Sequence, residues 1–168
     1  MQLTFKEKIS FISNKFDVYD ENGNICFTTV CKLKTFTRQV MIYDSNNNLI
    51  GELKEKARTF YPCFTIIENG QEVETIKIDK KSFNPKFILS SSSWVVDGNF
   101  LDRKYTISKD NQIIASINRK VFSVLDTYYL DILKKEDTLK VLMVVLAIEI
   151  IKLNWQEYYA IYITNTQF

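Results

Sequence analysis

The sequence predicts a mainly β protein of the α+β class, a single domain over residues 1–168 in which antiparallel hairpins close into a barrel around one buried, apolar helix. Three observations lead there: short polar turns that recur between β-rich runs, one nearly charge-free stretch close to the C-terminus, and the hairpins as the only other material in the sequence to surround that stretch. A chain of 168 residues is one ordinary domain, long enough to bury a substantial core.

The hairpins come first. From about Phe16 to Ile132 the polar turns are DENGN (Asp20 to Asn24), DSNNN (Asp44 to Asn48), ENGQ (Glu68 to Gln71), VDGN (Val96 to Asn99) and KDNQ (Lys109 to Gln112). Asn-Gly, Asp-Gly and Asn-Asn pairs tolerate the positive φ of tight turns whose twist suits antiparallel strands, so each predicts a hairpin. The flanking runs VMIYD, CFTIIE, ETIKID and KYTISK are rich in β-branched and aromatic residues, several in strict alternation. Five hairpins make about ten strands. Pro62 and Pro85 fall beside breaks between hairpins, and Ser90 to Ser93 reads as a loop or the start of a strand.

The helix follows, over about 137–153. In TLKVLMVVLAIEIIKLN (Thr138 to Asn154) the charge-free run Val141 to Ile148 covers roughly 12 Å as a helix, and Leu139 to Leu153 about 22 Å. A bilayer core needs about 30 Å. Lys140 and Glu149 project to opposite sides at 100° per residue, so there is no single polar stripe and the helix is expected to be core, not a transmembrane segment. Asp137 or Thr138 is positioned to cap it, and Glu136 suits its dipole. Glu149 either reaches a barrel mouth, the simpler reading, or is buried with a partner. The tail, 154–168, fits a helical face through Ile151, Trp155, Tyr158 and Tyr162 or a strand through Tyr159, Ile161 and Ile163.

Composition excludes several function classes. The chain has no histidine, which removes Ser-His-Asp and Cys-His catalysis and imidazole metal ligation. Cys26, Cys31 and Cys63 form no CxxC pair and lie in apolar runs, as buried thiols do. Lys6, Glu7 and Lys8 interrupt what a secretory signal would need, so the expected location is cytoplasmic. With 22 basic against 20 acidic residues there is no overall field to attract nucleic acid, and any basic site is local. No cofactor is called for. Candidates for catalysis reduce to Asp126 with Asp131 or to Lys104, and acidic residues five apart on a strand face opposite sides.

The segments VYDENGNICFTTVCK, QVMIYDSNNNLIGELKEK, KYTISKDNQIIASINRK and DTYYLDILKKEDTLKVLMVVLAIEI resemble the LURP-one-related proteins, which group with phospholipid scramblases and the tubby C-terminal domain. The resemblance covers about Asp17 to Ile151 and implies about twelve strands around a C-terminal helix. Tubby domains bind phosphoinositides, so it also implies a non-catalytic module for an anionic lipid or a protein partner, peripheral at a membrane. The alternatives are a scramblase-like membrane protein and a small-ligand barrel. The scramblase resemblance points to a calcium segment at Asp126, Asp131, Glu136 and Asp137, but Lys134 and Lys135 interrupt it and no turn glycine is present.

The residues themselves offer basic clusters after the turns. Lys54, Lys56 and Arg58, then Lys80 and Lys81, then Arg119 and Lys120 are the binding candidates, with Lys32, Lys34 and Lys77 nearby in sequence. If equivalent strand ends meet at one rim, these form a patch worth about 1 kcal/mol per charge near an anionic surface. Interleaved Glu52, Glu55, Glu72, Glu74 and Asp79 equally suit ordinary solvated strands that discourage edge pairing.

Overall fold

A computed structural model describes residues 1–6, 15–34, 37–59, 61–79, 86–100, 102–120 and 127–165; of 153–165, and of Lys6, Lys34 and Lys120, it describes the backbone only. Twelve antiparallel strands close into a barrel in which each strand pairs with its sequence neighbours and β1 closes on β12. They are β1 (Gln2–Lys6), β2 (Lys15–Asp20), β3 (Ile25–Lys34), β4 (Thr37–Asp44), β5 (Leu49–Glu55), β6 (Cys63–Glu68), β7 (Gln71–Asp79), β8 (Lys86–Leu89), β9 (Val95–Asn99), β10 (Lys104–Lys109), β11 (Gln112–Lys120) and β12 (Thr127–Ile132). A 3-10 turn, Lys135–Asp137, leads into α1 (Thr138–Asn165).

Four of the expected turns form, by two mechanisms. Asn69 and Gly70, and likewise Asp110 and Asn111, take positive φ at both central positions, the geometry that asparagine, aspartate and glycine tolerate best. In DENGN the Asp20 carboxylate accepts from the backbone N–H of Asn22 and Asn24, each at 2.9 Å, and from the Asn24 amide at 3.2 Å. DSNNN repeats this with Asp44, Asn46 and Asn48 at 2.9, 2.8 and 3.0 Å.

The fifth turn is corrected. VDGN lies inside β9, and the chain reverses instead at Ser90 to Ser93, between β8 and β9. Gly98 serves a strand: its φ is +139°, and a Cβ there would come within 2.6 Å of the Lys104 carbonyl oxygen. The Ser turn closes on the buried Glu74 of β7, whose carboxylate accepts the backbone N–H groups of Ser91 and Ser92, each at 2.7 Å. Burial pushes the Glu74 pKa up, but Ser91, Ser92 and Thr75 outweigh it and hold the group below its ordinary value.

Inside, alternate residues such as Val40, Ile42, Leu53, Ile66, Ile117 and Leu130 face α1. Every side chain from Val141 to Ile148 is fully buried, as an all-round apolar helix requires, each large one contributing about 1.5–3 kcal/mol. Gly51 makes room for the first turn, since a Cβ there would meet Leu139 at 3.3 Å and Met143 at 3.4 Å.

Two expectations about the helix ends change. Thr138 is already helical, with φ −56° and ψ −49°, and its hydroxyl bonds to Met1 Sδ at 3.5 Å; it is no cap. At the other end the backbone stays helical to Asn165, past the expected limit near 153, which selects the helical alternative for that part of the tail. Residues 166–168 lie outside the described chain.

Candidate functional site: a barrel with two unlike rims

Antiparallel closure gives the barrel two ends of different make-up. All odd-numbered strands run one way, so their C-terminal ends share a rim with the N-terminal ends of the even-numbered strands. Lys6, Lys34 and Lys120 end odd strands there, and Lys15, Lys86 and Lys104 begin even ones, with Glu55 and Asp79 the acidic exceptions. We call this the basic rim. At the opposite turn rim the even strands end in Asp20, Asp44 and Glu68, with Lys109 the basic exception. The 3-10 turn adds Glu136 and Asp137 to the turn rim beside Lys135.

Of the expected binding residues, Lys54, Lys56 and Arg58 stand together at the end of β5 and just beyond it. Lys54 points outward, about half exposed, 3.3 Å from Glu52, which also accepts from Gln39 Nε2 at 2.6 Å. Lys56 and Arg58 are exposed. Their loop is pinned by the Lys56 N–H donating to the Cys63 carbonyl at 2.8 Å and by Thr59 Oγ1 on the Lys56 carbonyl at 3.3 Å. Arg58 sits at φ +58°, a left-handed conformation that a non-glycine residue adopts only when its surroundings hold it.

The other candidates divide. Lys120 ends β11 on the same rim, its side chain not described, and Lys80 and Lys81 lie outside the described residues. Arg119 is half-buried: with Ala115 and Ile117 it occupies the inward register of β11, and its Nε is buried. Two exposed apolar side chains join this rim without having been singled out, Leu33 at 60% between Lys32 and Lys34, and Tyr61 at 41%. The available signal was the triplet Lys-Leu-Lys at a strand end.

Behind the basic rim the barrel interior is charged. Glu149 is buried, not at the mouth, and shares its carboxylate between Arg103, 3.7 Å away, and Lys152, at 3.4 Å. Arg103 lies 4.9 Å over the Tyr128 ring, which stacks on Phe5 at 4.6 Å. Burial lowers the Lys152 pKa; Glu149 opposes the shift, while Arg103 and Arg119 add to it. Burial, and next Glu149, push the Tyr105 and Tyr128 hydroxyls above their ordinary value, so both remain protonated. Nothing in the sequence pattern joins Arg103 to Glu149, because they meet only when the barrel closes around the helix.

Among the described residues the calcium candidates form no metal-binding group. Asp131 is exposed on β12 and accepts from Gln2 Nε2 at 2.7 Å, while Glu136 and Asp137 belong to the 3-10 turn. Asp126 lies outside the described residues, and no group of three or more potential metal ligands occurs among those described. No helix among the described residues is long and apolar enough to cross a membrane.

This architecture and the sequence agree with known proteins. A solved X-ray structure of a protein from Arabidopsis thaliana superposes with a TM-score of 0.58 over 88% of this chain and 91% of that one, at 14% identity, a likeness of fold. The uncharacterized protein YxjI of Bacillus subtilis (strain 168) is 21% identical over 154 residues, 92% of this chain and 95% of the relative. The sequence model of the LURP-one-related proteins matches residues 1–149, ending at the glutamate that Arg103 and Lys152 share, and the chain belongs to that family.

Proposed function

We propose that the protein is a non-catalytic module whose basic rim recognises an anionic lipid surface. The supporting observation is the strand polarity, which sets Lys15, Lys104, Lys54, Lys56 and Arg58, together with Lys86 in its ion pair with Asp97, at the same end of the barrel as the exposed Leu33. Basic side chains gain about 1 kcal/mol each near an anionic leaflet, and an apolar side chain among them adds burial at the headgroup boundary. Tyr61 extends the apolar contribution.

The alternatives fit the interior less well. In a scramblase-like reading α1 is a membrane anchor, yet its apolar part is the core of the barrel. A small-ligand carrier needs interior space that Val141 to Ile151 occupy.

Co-sedimentation with liposomes tests the proposal. Binding is expected to vesicles containing anionic lipid or phosphoinositide, to be absent with neutral ones, and to weaken as salt is raised. Reversing Lys54, Lys56 and Arg58 together to glutamate is expected to cost more than tenfold in affinity, by the charge arithmetic above, with the melting temperature unchanged. Equal binding to neutral and anionic vesicles would overturn the reading.

A further inference from the structure

The turn rim carries the opposite chemistry and an apolar opening of its own. Leu133 is 75% exposed, Ile113 55% and Met1 39%. The sheet brings them together: the Leu133 N–H donates to the Ile114 carbonyl at 2.9 Å, while the Met1 ammonium donates to the Ile132 carbonyl at 2.9 Å. Between them runs a groove of about 590 Å³ whose apolar wall is Met1, Ile113, Ile114 and Leu133, and whose charged side chains are Glu21 and Asp131. No lysine or arginine lines it among the described residues. It continues into a hollow of about 270 Å³ that shares Ile113, Ile114 and Leu133 and adds both acidic and basic side chains.

Contiguous exposed apolar side chains rimmed by polar ones mark interaction sites. The carboxylates decide which partner fits. A purely apolar occupant would desolvate Glu21 unpaired and leave Asp131 only the Gln2 amide, and an anionic surface would meet two carboxylates against the single Met1 ammonium, which already donates to the Ile132 carbonyl. A segment with apolar residues between arginines satisfies both parts, since the guanidinium fork matches a carboxylate and its stem packs on apolar walls.

We infer that this groove docks a basic, apolar segment of a protein partner, with leucine-like side chains against Ile113 and Leu133 and arginines on Glu21 and Asp131. The inference shares no residue with the basic rim and selects a ligand of opposite charge, so the two stand or fall separately.

Fluorescence anisotropy of the full chain tests it with three labelled peptides in glycine-serine flanks, whose cores are Arg-Leu-Leu-Arg, Arg-Ser-Ser-Arg and Glu-Leu-Leu-Glu. Only the first is expected to bind, shifting the methyl resonances of Met1, Ile113 and Leu133. Leu133→Ser with Ile113→Ser is expected to weaken it at least tenfold. Glu21→Gln with Asp131→Asn should weaken it and flatten its salt dependence, an independent readout if the first pair perturbs the fold. Binding of the serine peptide as tightly as the leucine one would overturn the site, as would failure of all three peptides to bind. A concentration-dependent dimer in sedimentation velocity, lost on Leu133→Ser, would overturn the assignment by making a second copy of the chain the occupant.

Discussion

The two aspartate turns of the turn rim are held by hydrogen bonds between residues a few positions apart, whereas the region behind the basic rim is held by charges from elements far apart in sequence. Asp20 and Asp44 each organise their own turn with backbone N–H groups two and four residues ahead. Arg103, Glu149 and Lys152 instead join the start of β10 to the far part of α1. Local bonds cost little loop entropy to form, while the interior cluster forms only once the barrel has closed. The two ends should therefore fail differently.

The largest effect is expected at the interior carboxylate. Glu149→Leu removes the group that Arg103 and Lys152 share and should cost about 3–5 kcal/mol in urea unfolding. Lys152→Met in the same background should recover part of that loss, because it removes one of the stranded charges. If Glu149→Leu cost under about 1 kcal/mol, the ion pairs would not be what distinguishes this end. Gly98→Ala comes next at about 1–3 kcal/mol, since its φ of +139° and the Lys104 carbonyl oxygen 2.6 Å from a Cβ are both unfavourable to alanine. An unchanged melting temperature would mean that β9 and β10 can separate at no cost.

The same division governs what the sequence made legible. Hairpin register depends on turn residues, so DENGN, DSNNN, ENGQ and KDNQ could be read directly, and the helix followed from an apolar run too short to cross a bilayer. VDGN misled because an Asp-Gly pair also suits a strand where a neighbouring backbone crowds the glycine. The Ser90 to Ser93 turn was obscure because its anchor, Glu74, is some sixteen residues upstream. At the basic rim the clusters were visible, but that Lys34, Lys54 and Lys120 stand at the same end of the barrel was not, since it depends on strand count and direction. The inward register of Arg119 was not legible, because composition cannot tell an inward from an outward register.

Glu74 brings the comparison to the turn rim. In the fold its pKa lies below the ordinary value of 4.5, so its contribution is fully present above that value and is lost as pH falls through the folded one. Glu74→Gln should cost about 1–2 kcal/mol at neutral pH, from charged hydrogen bonds replaced by neutral ones. The gap between native and variant in urea unfolding should close in acid. A gap that persisted unchanged at low pH would assign the cost to packing and not to the carboxylate.

The smallest effects belong to the two aspartate turns, which offer an internal control. Asn24 and Asn48 hold Asp20 and Asp44 below their ordinary value through equivalent bonds. Asp20→Ala and Asp44→Ala should therefore lower the melting temperature by similar small amounts, in both cases less in acid, where the carboxylates protonate. The turns differ at one position: Gly23 occupies φ +81° where the second turn has Asn47 at +64°. Glycine adopts that region without strain, whereas asparagine does so at some cost, so Asn47→Gly should slightly raise stability or leave it unchanged. Because each turn is closed by its own residues, the double variant Asp20→Ala with Asp44→Ala should show the sum of the single effects. A departure from additivity would mean that the turn rim is coupled through the barrel, as the interior cluster is, and the contrast between the two ends would then be one of degree.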